Sequence, residues 1–433
     1  MKFWGVTGTN GKTTVTWIAA SFINADPARK CGYVTTVEVN TGSRRFATGY
    51  TTPPLNQLKE IFAEMEANGC TDCVMEVSSH AIHQHRTGDT VFSGGVFTNL
   101  SEDHLDYHKT MEAYFDVKLD FARQIAAARW GGGVPPPQLG RKDLPPYVVC
   151  LDGGYGREMF NAVGNQAVNV IGVSVKKKVV VGKSESYSGI FNVRCTTTTP
   201  DYDLTDLQLV GDYNKSNVLC AAALAEAAGV PHDVIQSVIP MLKPRWGRLE
   251  EVKVKGEGEE GGPRVFVDFA HTPDGLEKVL TAVRAEMIRH SNTQTLKHSN
   301  NSLWVVFGAG GDRDPMKRPL MGEACAKLAD RLVVTSDNPR SEDPMAIINA
   351  ILEGVNSVDR STFNLQPSTF LFVEPDRAKA IALALSRADE GDVVIIAGKG
   401  HEITQEIKGV KYPFDDREIV RNFTGASCGR ERA

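Results

Sequence analysis

Near the start of the chain, the stretch from Gly5 to Thr14 reads Gly-Val-Thr-Gly-Thr-Asn-Gly-Lys-Thr-Thr, a set of residue types suited to holding a polyphosphate. Glycines 8 and 11 let the backbone turn tightly, so that amide N–H groups point inward at an anion. Lys12 adds a mobile positive charge, and the Thr13 hydroxyl suits a magnesium ligand. The strict Walker pattern requires a glycine where Val6 stands, so the match is to the shorter Gly-x-x-Gly-Lys-Thr loop. The expected ligand is Mg-ATP or a relative; the competing reading is an ordinary strand-to-helix turn.

Further along, Glu76 closes the apolar run Asp-Cys-Val-Met-Glu-Val. A carboxylate in such a strand needs a cation or a polar partner to offset desolvation. That partner is either a ligand-bound metal or a structural Arg or Lys. Five of the ten histidines fall between His80 and His108. Their density raises zinc, but no cysteine or HExxH arrangement accompanies them, and His104 with Glu76 is better suited to magnesium beside a phosphate. Lys118, taken alone, reads as a solvated helix lysine. Cys70-x-x-Cys73 lies at a helix-to-strand junction without a second pair, which favours buried thiols over a metal or redox site.

The elements that must position these groups follow from pattern. Phe3 and Trp4 lead into the glycine loop as a strand, and a helical run begins at Val15. A β-branched run covers Gly32 to Val39, and Thr48 to Pro54 forms a hydroxyl-rich loop. Leu55 to Asn68 has helical spacing, while Asp72 to Val77 and Gly94 to Leu100 read as buried parallel strands. Strands dominate from Tyr147 to Val210, and Gly211 to Asn217 caps an alanine-rich helix. The region Lys243-Pro244-Arg245 is the candidate domain boundary. Beyond it, strands at Val265–Phe269, Leu303–Phe307, Arg331–Thr335, Phe370–Val373 and Val393–Ala397 alternate with helical patterns, the grammar of a doubly wound sheet. The Gly/Pro-rich stretch from Trp130 to Pro146 reads as a loop, Gly256 to Gly262 as a hairpin tip, and Ser291 to Ser302 as a polar surface insertion.

The chain has 433 residues, 41% of them hydrophobic, enough for two or three domains with a large core. Its formal net charge of -5 gives no global attraction to nucleic acid or anionic membrane. No apolar run is long enough to span a bilayer, and no signal or transit segment precedes the first strand, so a soluble, cytoplasmic protein is expected. Eight scattered cysteines form no regular framework, which suits a reducing compartment.

Several motifs then occur in one order along nearly the whole chain: Gly8 to Thr14, Thr51-Thr52-Pro53, Glu76 to His80, Asp103 to Lys118, Gly211 to Asn217, Gly247-Arg248-Leu249-Glu250, Asp268 to Gly275, Gly308 to Gly322, Asp337 to Arg340 and Gly398 to Glu402. Together they resemble the Mur ligase family, which joins amino acids to a peptidoglycan precursor, and within it the branch that adds meso-2,6-diaminopimelate to UDP-MurNAc-L-Ala-D-Glu. The resemblance implies an α/β protein: a central P-loop ATPase-like parallel-sheet domain (residues 1–243), then a Rossmann-like amino-acid-binding domain (residues 244–433). It implies that Gly8, Thr9, Asn10, Gly11, Lys12, Thr13 and Thr14 hold ATP, the co-substrate, with Asn214, Arg248 and His271 near the nucleotide. Thr13 and Glu76 would bind one Mg2+, and Glu76 and His104 a second. Lys118 matches the family's carbamylated lysine, a CO2-derived anion supporting that second metal. Lys12, Glu76, His104 and Lys118 are thus the implied catalytic group. Thr51, Thr52, Ser78, Gln84 and Arg86 match positions that hold the muramoyl dipeptide. Arg313, Asp337, Asn338, Pro339, Arg340, Gly398 and Glu402 match the diaminopimelate pocket, where the arginines can pair with the distal carboxylate that lysine lacks.

Family members usually carry an N-terminal uridine-nucleotide-binding domain ahead of the phosphate loop, whereas a few residues precede Gly5 here. The alternatives are a truncated reading frame, a separate chain supplying that domain, or a substrate accepted without it. The expected partners are small molecules, namely ATP, UDP-MurNAc-dipeptide and meso-diaminopimelate, acting on a monomer with no nucleic acid and no membrane. A folylpolyglutamate-type or cyanophycin-type ligase shares the short phosphate loop, but Thr-Thr-Pro, Glu-Val-Ser-Ser-His and Asp-Asn-Pro-Arg weigh against it. A non-catalytic Mur-like binding protein is a third reading. Its hallmark, erosion of Lys12, Glu76, His104 or Lys118, is absent.

Overall fold

In the computed structural model the chain divides into two compact units, Met1–Lys243 and Pro244–Ala433. The structure describes residues 1–129, 143–181, 184–191, 202–254, 262–291, 301–359 and 370–424. Most of the Trp130 loop, the Gly256 tip, most of the Ser291 insertion, Cys195 and Cys428 lie outside the described residues.

The first unit is built on a mixed sheet. Its strands are β1 (Lys2–Thr7), β2 (Cys31–Val34), β3 (Val39–Asn40), β4 (Arg45–Phe46), β5 (Asp72–Glu76), β6 (Phe92–Phe97), β7 (Pro146–Cys150), β8 (Asn169–Val181) and β9 (Ser184–Phe191). They lie in the order β4-β3-β2-β5-β1-β6-β7-β8-β9. Strands β2, β5, β1, β6, β7 and β8 pair in parallel, whereas β3, β4 and β9 are antiparallel additions. Parallel strands covered on both faces read as continuous apolar runs, and β5 is buried at every position. Because β1 lies between β5 and β6, the loops after all three strands emerge side by side. The glycine loop, Glu76 and the Thr98–Ser101 segment are therefore neighbours by topology.

Small residues bring one helix unusually close to this sheet. A Cβ on Gly5 would lie 2.3 Å from Phe121 Cζ, and one on Gly95 would lie 2.8 Å from Ile125 Cδ1. Helix Met111–Arg129 thus packs directly on β1 and β6, with Leu119, Phe121, Ala122 and Ile125 in the core. The close approach buries Lys118 as well.

Two stretches of this unit resolve into finer elements. The run from Gly32 to Val39 is not one strand: β2 ends at Val34, and Thr35 turns the chain through hydrogen bonds to Glu38 before β3 begins. Among the described residues strands do dominate from Tyr147 to Val210, with helix Gly156–Val163 standing between β7 and β8. Gly156, Met159, Phe160 and Val163 are its buried residues, a helical spacing.

The second unit holds β10 (Glu250–Glu251), β11 (Arg264–Asp268), β12 (Leu303–Phe307), β13 (Arg331–Val334), β14 (Leu371–Val373) and β15 (Val393–Ala397). Their order is β10-β11-β15-β12-β13-β14, parallel except for β10. The five parallel strands lie where the sequence places them, shifted by a residue at some ends. A hairpin of β16 (Thr404–Ile407) and β17 (Val410–Pro413) is additional. No position on it is fully buried, so it carries no apolar period by which the sequence would announce it. Loops after β15, β12 and β13, adjacent in the sheet, bring Gly398–Glu402, Gly308–Arg313 and Asp337–Arg340 to one edge of the unit.

Candidate active site

The loop after β1 has the conformation its glycines allow. Gly8 has φ 145° and Gly11 φ 85°, both in the left-handed half of backbone space. Helix Lys12–Ala25 starts at once, with Gly11 as N-cap and no side-chain cap. Its first-turn amides are thus left for an anion. Lys12 Nζ donates to the carbonyls of Gly8 (3.0 Å) and Thr9 (2.8 Å), holding the ammonium over the loop. Neighbouring segments fix the loop in turn. Asn10 N donates to Asn99 Oδ1, Asn99 Nδ2 and Thr98 Oγ1 donate to the Asn10 carbonyl, and Thr9 Oγ1 meets Tyr114 OH. Thr14 is buried within the helix.

Glu76 has no solvent exposure. Among the described residues no Arg or Lys pairs with it. The Thr13 hydroxyl donates to Oε1 at 2.8 Å, Thr36 N donates to the same oxygen at 2.8 Å, and Thr36 Oγ1 donates to Oε2 at 3.1 Å. Thr36, at the end of β2, was not among the residues singled out from sequence; its only signal was the Thr35-Thr36 pair closing a β-branched run. The Thr-Thr-Pro loop joins the same network. Thr36 Oγ1 lies 3.0 Å from Thr51 Oγ1, Thr52 Oγ1 donates to the Glu76 carbonyl, and Ser78 N donates to Thr52 Oγ1. Arg86 Nη1 reaches the Thr52 carbonyl (3.3 Å), and its Nε donates to Gln84 Oε1. The five residues expected to hold the dipeptide thus form one connected set.

His104 is not hydrogen-bonded to Glu76. Its imidazole lies 3.6 Å from Asp103 and packs edge-on to His80, within a ring cluster that includes Tyr107, His108 and Tyr114. Partial burial lowers the pKa of the His104 imidazole against the opposing pull of Asp103, although its side chain keeps 45% exposure. Its neutral ring can therefore ligate a metal at neutral pH. Tyr107, another residue the sequence reading passed over, shares its hydroxyl with His83 (2.7 Å) and Gln84 (3.2 Å).

Lys118 is buried, not a solvated helix lysine. Nζ donates to the Gly8 carbonyl at 3.0 Å and lies 4.8 Å from the centre of the Tyr114 ring. Burial, then the charge of Lys12, press its amine well below its ordinary pKa. A neutral lysine amine, the form that reacts with CO2, is thereby favoured.

As a test of fit for magnesium, Thr13 and Glu76 present hard oxygen donors, the chemistry Mg2+ takes. Among the described residues no three His, Cys, Asp or Glu side chains converge on one point. A metal here would depend on phosphate oxygens to complete its shell, as Mg2+ commonly does. Cys70 and Cys73 are free and buried. Burial raises both thiols.

Asn214 lies in the first turn of helix Asp212–Ala228, where its Nδ2 donates to the Val210 carbonyl and its Oδ1 accepts from Asn217. In the second unit, Arg248 lies over the Phe269 ring at 4.5 Å, and His271 Nδ1 contacts the Phe269 carbonyl. Asp268 fixes both segments, accepting from Leu249 N and Ala270 N.

The loops after β13 and β15 meet through side chains. Asn338 Nδ2 donates to Glu402 Oε2 at 2.8 Å. Arg340, at φ 52°, donates from Nη1 to the Gly311 carbonyl at 2.6 Å and lies 3.7 Å from Glu406. The hairpin secures this loop, since Arg340 N donates to the Glu406 carbonyl and Lys408 N to the Arg340 carbonyl. Gly398, at φ 116°, lies under Asp337, whose Oδ2 would be 3.0 Å from a Cβ there. Beneath both loops the fully buried Arg377 is paired with Asp416, and it donates to the carbonyls of Ser336 and Ala397, each one residue before a pocket loop. Arg313, by contrast, is exposed, and Nη1 donates to the Asp312 carbonyl.

Similarity now places the chain. The family model described as Mur ligase middle domain matches residues 6–225, and that described as Mur ligase, glutamate ligase domain matches residues 247–400. The chain belongs to the Mur ligase family. It is 38% identical to a UDP-N-acetylmuramoyl-L-alanyl-D-glutamate--2,6-diaminopimelate ligase from Neisseria meningitidis over 97% of this chain and 77% of the relative. A ligase of the same name from Synechococcus elongatus is 39% identical, over 97% of this chain and 76% of the relative. A solved structure bearing that name is 29% identical with a TM-score of 0.54, covering 97% of this chain and 77% of that one. E. coli FolC in complex with DHPP and ADP has a TM-score of 0.57 at 16% identity, over 92% of this chain and 86% of that one, and shares the fold. A Mur ligase is an ATP-dependent enzyme, so use of ATP follows from membership. Among the described residues no helix is long and apolar enough to cross a membrane.

Proposed function

We propose that this Mur ligase adds meso-2,6-diaminopimelate to UDP-MurNAc-L-Ala-D-Glu, in the cytoplasm, during peptidoglycan precursor synthesis. The observation that carries the proposal is the shared name of relatives aligned along nearly the entire chain at 35 to 39% identity. The Asp337–Arg340 loop supports it, because Arg340 is a fixed cation suited to a second carboxylate.

In this reading the D-Glu carboxylate attacks the γ-phosphorus of ATP, ADP leaves, and an acyl phosphate forms. The incoming amine attacks the acyl carbon, loses a proton, and expels phosphate. Both steps gather negative charge, so oriented amides and cations provide most of the stabilisation. Lys12 would exchange loop carbonyls for phosphate oxygens, beside the amides of Gly11 to Thr14. Magnesium, held by Thr13 and Glu76 and at a second position by Glu76, His104 and carbamylated Lys118, would neutralise the phosphate oxygens. Thr51, Thr52, Ser78, Gln84 and Arg86 would orient the dipeptide, their mutual hydrogen bonds supporting a shared role. Asn214, Arg248 and His271 keep the nucleotide role given by resemblance. The amino acid would be held by Arg313, Asp337, Asn338, Pro339, Arg340, Gly398 and Glu402.

The test is product identity. Incubation with ATP, UDP-MurNAc-L-Ala-D-Glu and meso-diaminopimelate should yield a species with the mass of the tripeptide, absent when ATP is omitted. ATP-dependent glutamate addition to a folate instead would replace this reading with the folylpolyglutamate one.

A further inference from the structure

Within the turn after β15, Lys399 has no solvent exposure. Burying an ammonium is unfavourable unless acceptors surround it. Here Nζ donates to Glu402 Oε2 at 3.0 Å and Asn338 Oδ1 at 3.2 Å, and it lies 3.6 Å from Asp337 Oδ1. These acceptors come from the loops after β15 and β13, which the sheet order separates by β12. The lysine therefore spans the end of that strand and joins the two loops.

Its bonds also decide how the neighbouring groups face. Asn338 Oδ1 is committed to Lys399 and to Glu406 N, which turns Nδ2 toward Glu402. Lys399 and Asn338 both donate to Oε2 of Glu402, leaving Oε1 to meet a ligand cation. Asp337 Oδ1 is buried and accepts no hydrogen bond among the described residues. Arg377 feels the same two carboxylates but is bound to Asp416, so that pair cancels. Two carboxylates around one lysine leave a single net negative charge, matched to one ammonium.

We propose that Lys399 is a positioning residue for the amino-acid substrate. It holds Asn338, Glu402 and Asp337 in the one arrangement that receives a substrate ammonium beside the carboxylate site of Arg340. An ammonium held this way is protonated and cannot be the attacking amine, so the site fixes which end of a diamino acid reacts. The inference rests on the proposed ligase reading for the reaction, and on the contacts above for the residue.

The test compares the native enzyme with K399M, E402Q and the double variant, varying the amino acid at saturating ATP and UDP-MurNAc-dipeptide, with meso-diaminopimelate and L-lysine each tried. Loss of a charge-assisted contact predicts that K399M raises KM for the amino acid about tenfold or more, with kcat within about threefold and KM for ATP unchanged. E402Q should do the same, and the double variant should be scarcely worse than either single one, because the lysine acts through the carboxylate. If K399M does not fold, K399Q removes the charge but keeps a donor for Glu402, so it should raise the amino-acid KM in the same direction by a smaller factor, again with KM for ATP unchanged. An unchanged amino-acid KM, a fall confined to kcat, or effects that multiply in the double variant would overturn the role. A native enzyme that uses lysine instead overturns the substrate reading alone, and Lys399 is then read with lysine. A native enzyme without amino-acid-dependent turnover overturns both.

Discussion

The side chains that matter most here are charged groups held where water does not reach. Glu76 is fully buried, and among the described residues it has no basic partner, which is costly unless its hydroxyl and amide donors are joined by a cation when substrate binds. Lys118 is the complementary case, an amine made less basic by burial and by Lys12. Lys118→Ala should therefore abolish turnover, and free short-chain carboxylic acids should restore part of it by standing in for a carbamate. Full activity of the variant without any supplement would remove the carbamate from the account. Arg340 makes a different prediction. A site built to hydrogen-bond a substrate group rejects an analogue lacking it by a factor on the order of 10⁴ when its polar groups are left buried and unpaired; Arg340 is half-buried and has Glu406 nearby, so its share is smaller. Arg340→Ala should narrow the preference for meso-diaminopimelate over L-lysine, read as the ratio of their kcat/KM values. An unchanged ratio would exclude Arg340 from selectivity.

At the scale of elements, the close packing of helix Met111–Arg129 on β1 and β6 links core packing to chemistry. Adding a methyl at Gly5, 2.3 Å from Phe121 Cζ, forces the ring or the helix away. Gly5→Ala should cost about 1 to 3 kcal/mol of stability, as overpacking does. It should also lower kcat, since the same helix sets Lys118 against the phosphate loop; melting and initial rates would check both. The phosphate loop, the parallel strands and the order of motifs were legible in the sequence because glycines, Lys12 and apolar runs act locally. Thr36, Tyr107 and Lys399 were not, because their roles arise where strands distant in sequence end side by side. The hairpin Thr404–Pro413 escaped notice because it buries no apolar face, yet it secures Arg340.

For the whole molecule, the histidine cluster couples folding to pH. The buried His108 is held at about 4, chiefly by burial, against about 6.5 in an unfolded chain, and the half-exposed His104 is lowered in the same direction. Between those values the unfolded state binds more protons, so stability is fully present above about pH 6.5 and is lost as pH falls toward 4. The melting temperature should drop across that window, and His108→Asn should flatten part of the drop. A native profile already flat there would contradict the neutral assignment. The ligase assignment itself is tested most directly by phosphate release from ATP with UDP-MurNAc-L-Ala-D-Glu, comparing meso-diaminopimelate, L-lysine and no amino acid. Release dependent on meso-diaminopimelate and well above that with lysine is the predicted result. Release that is faster with lysine, or the same with no amino acid, would contradict it.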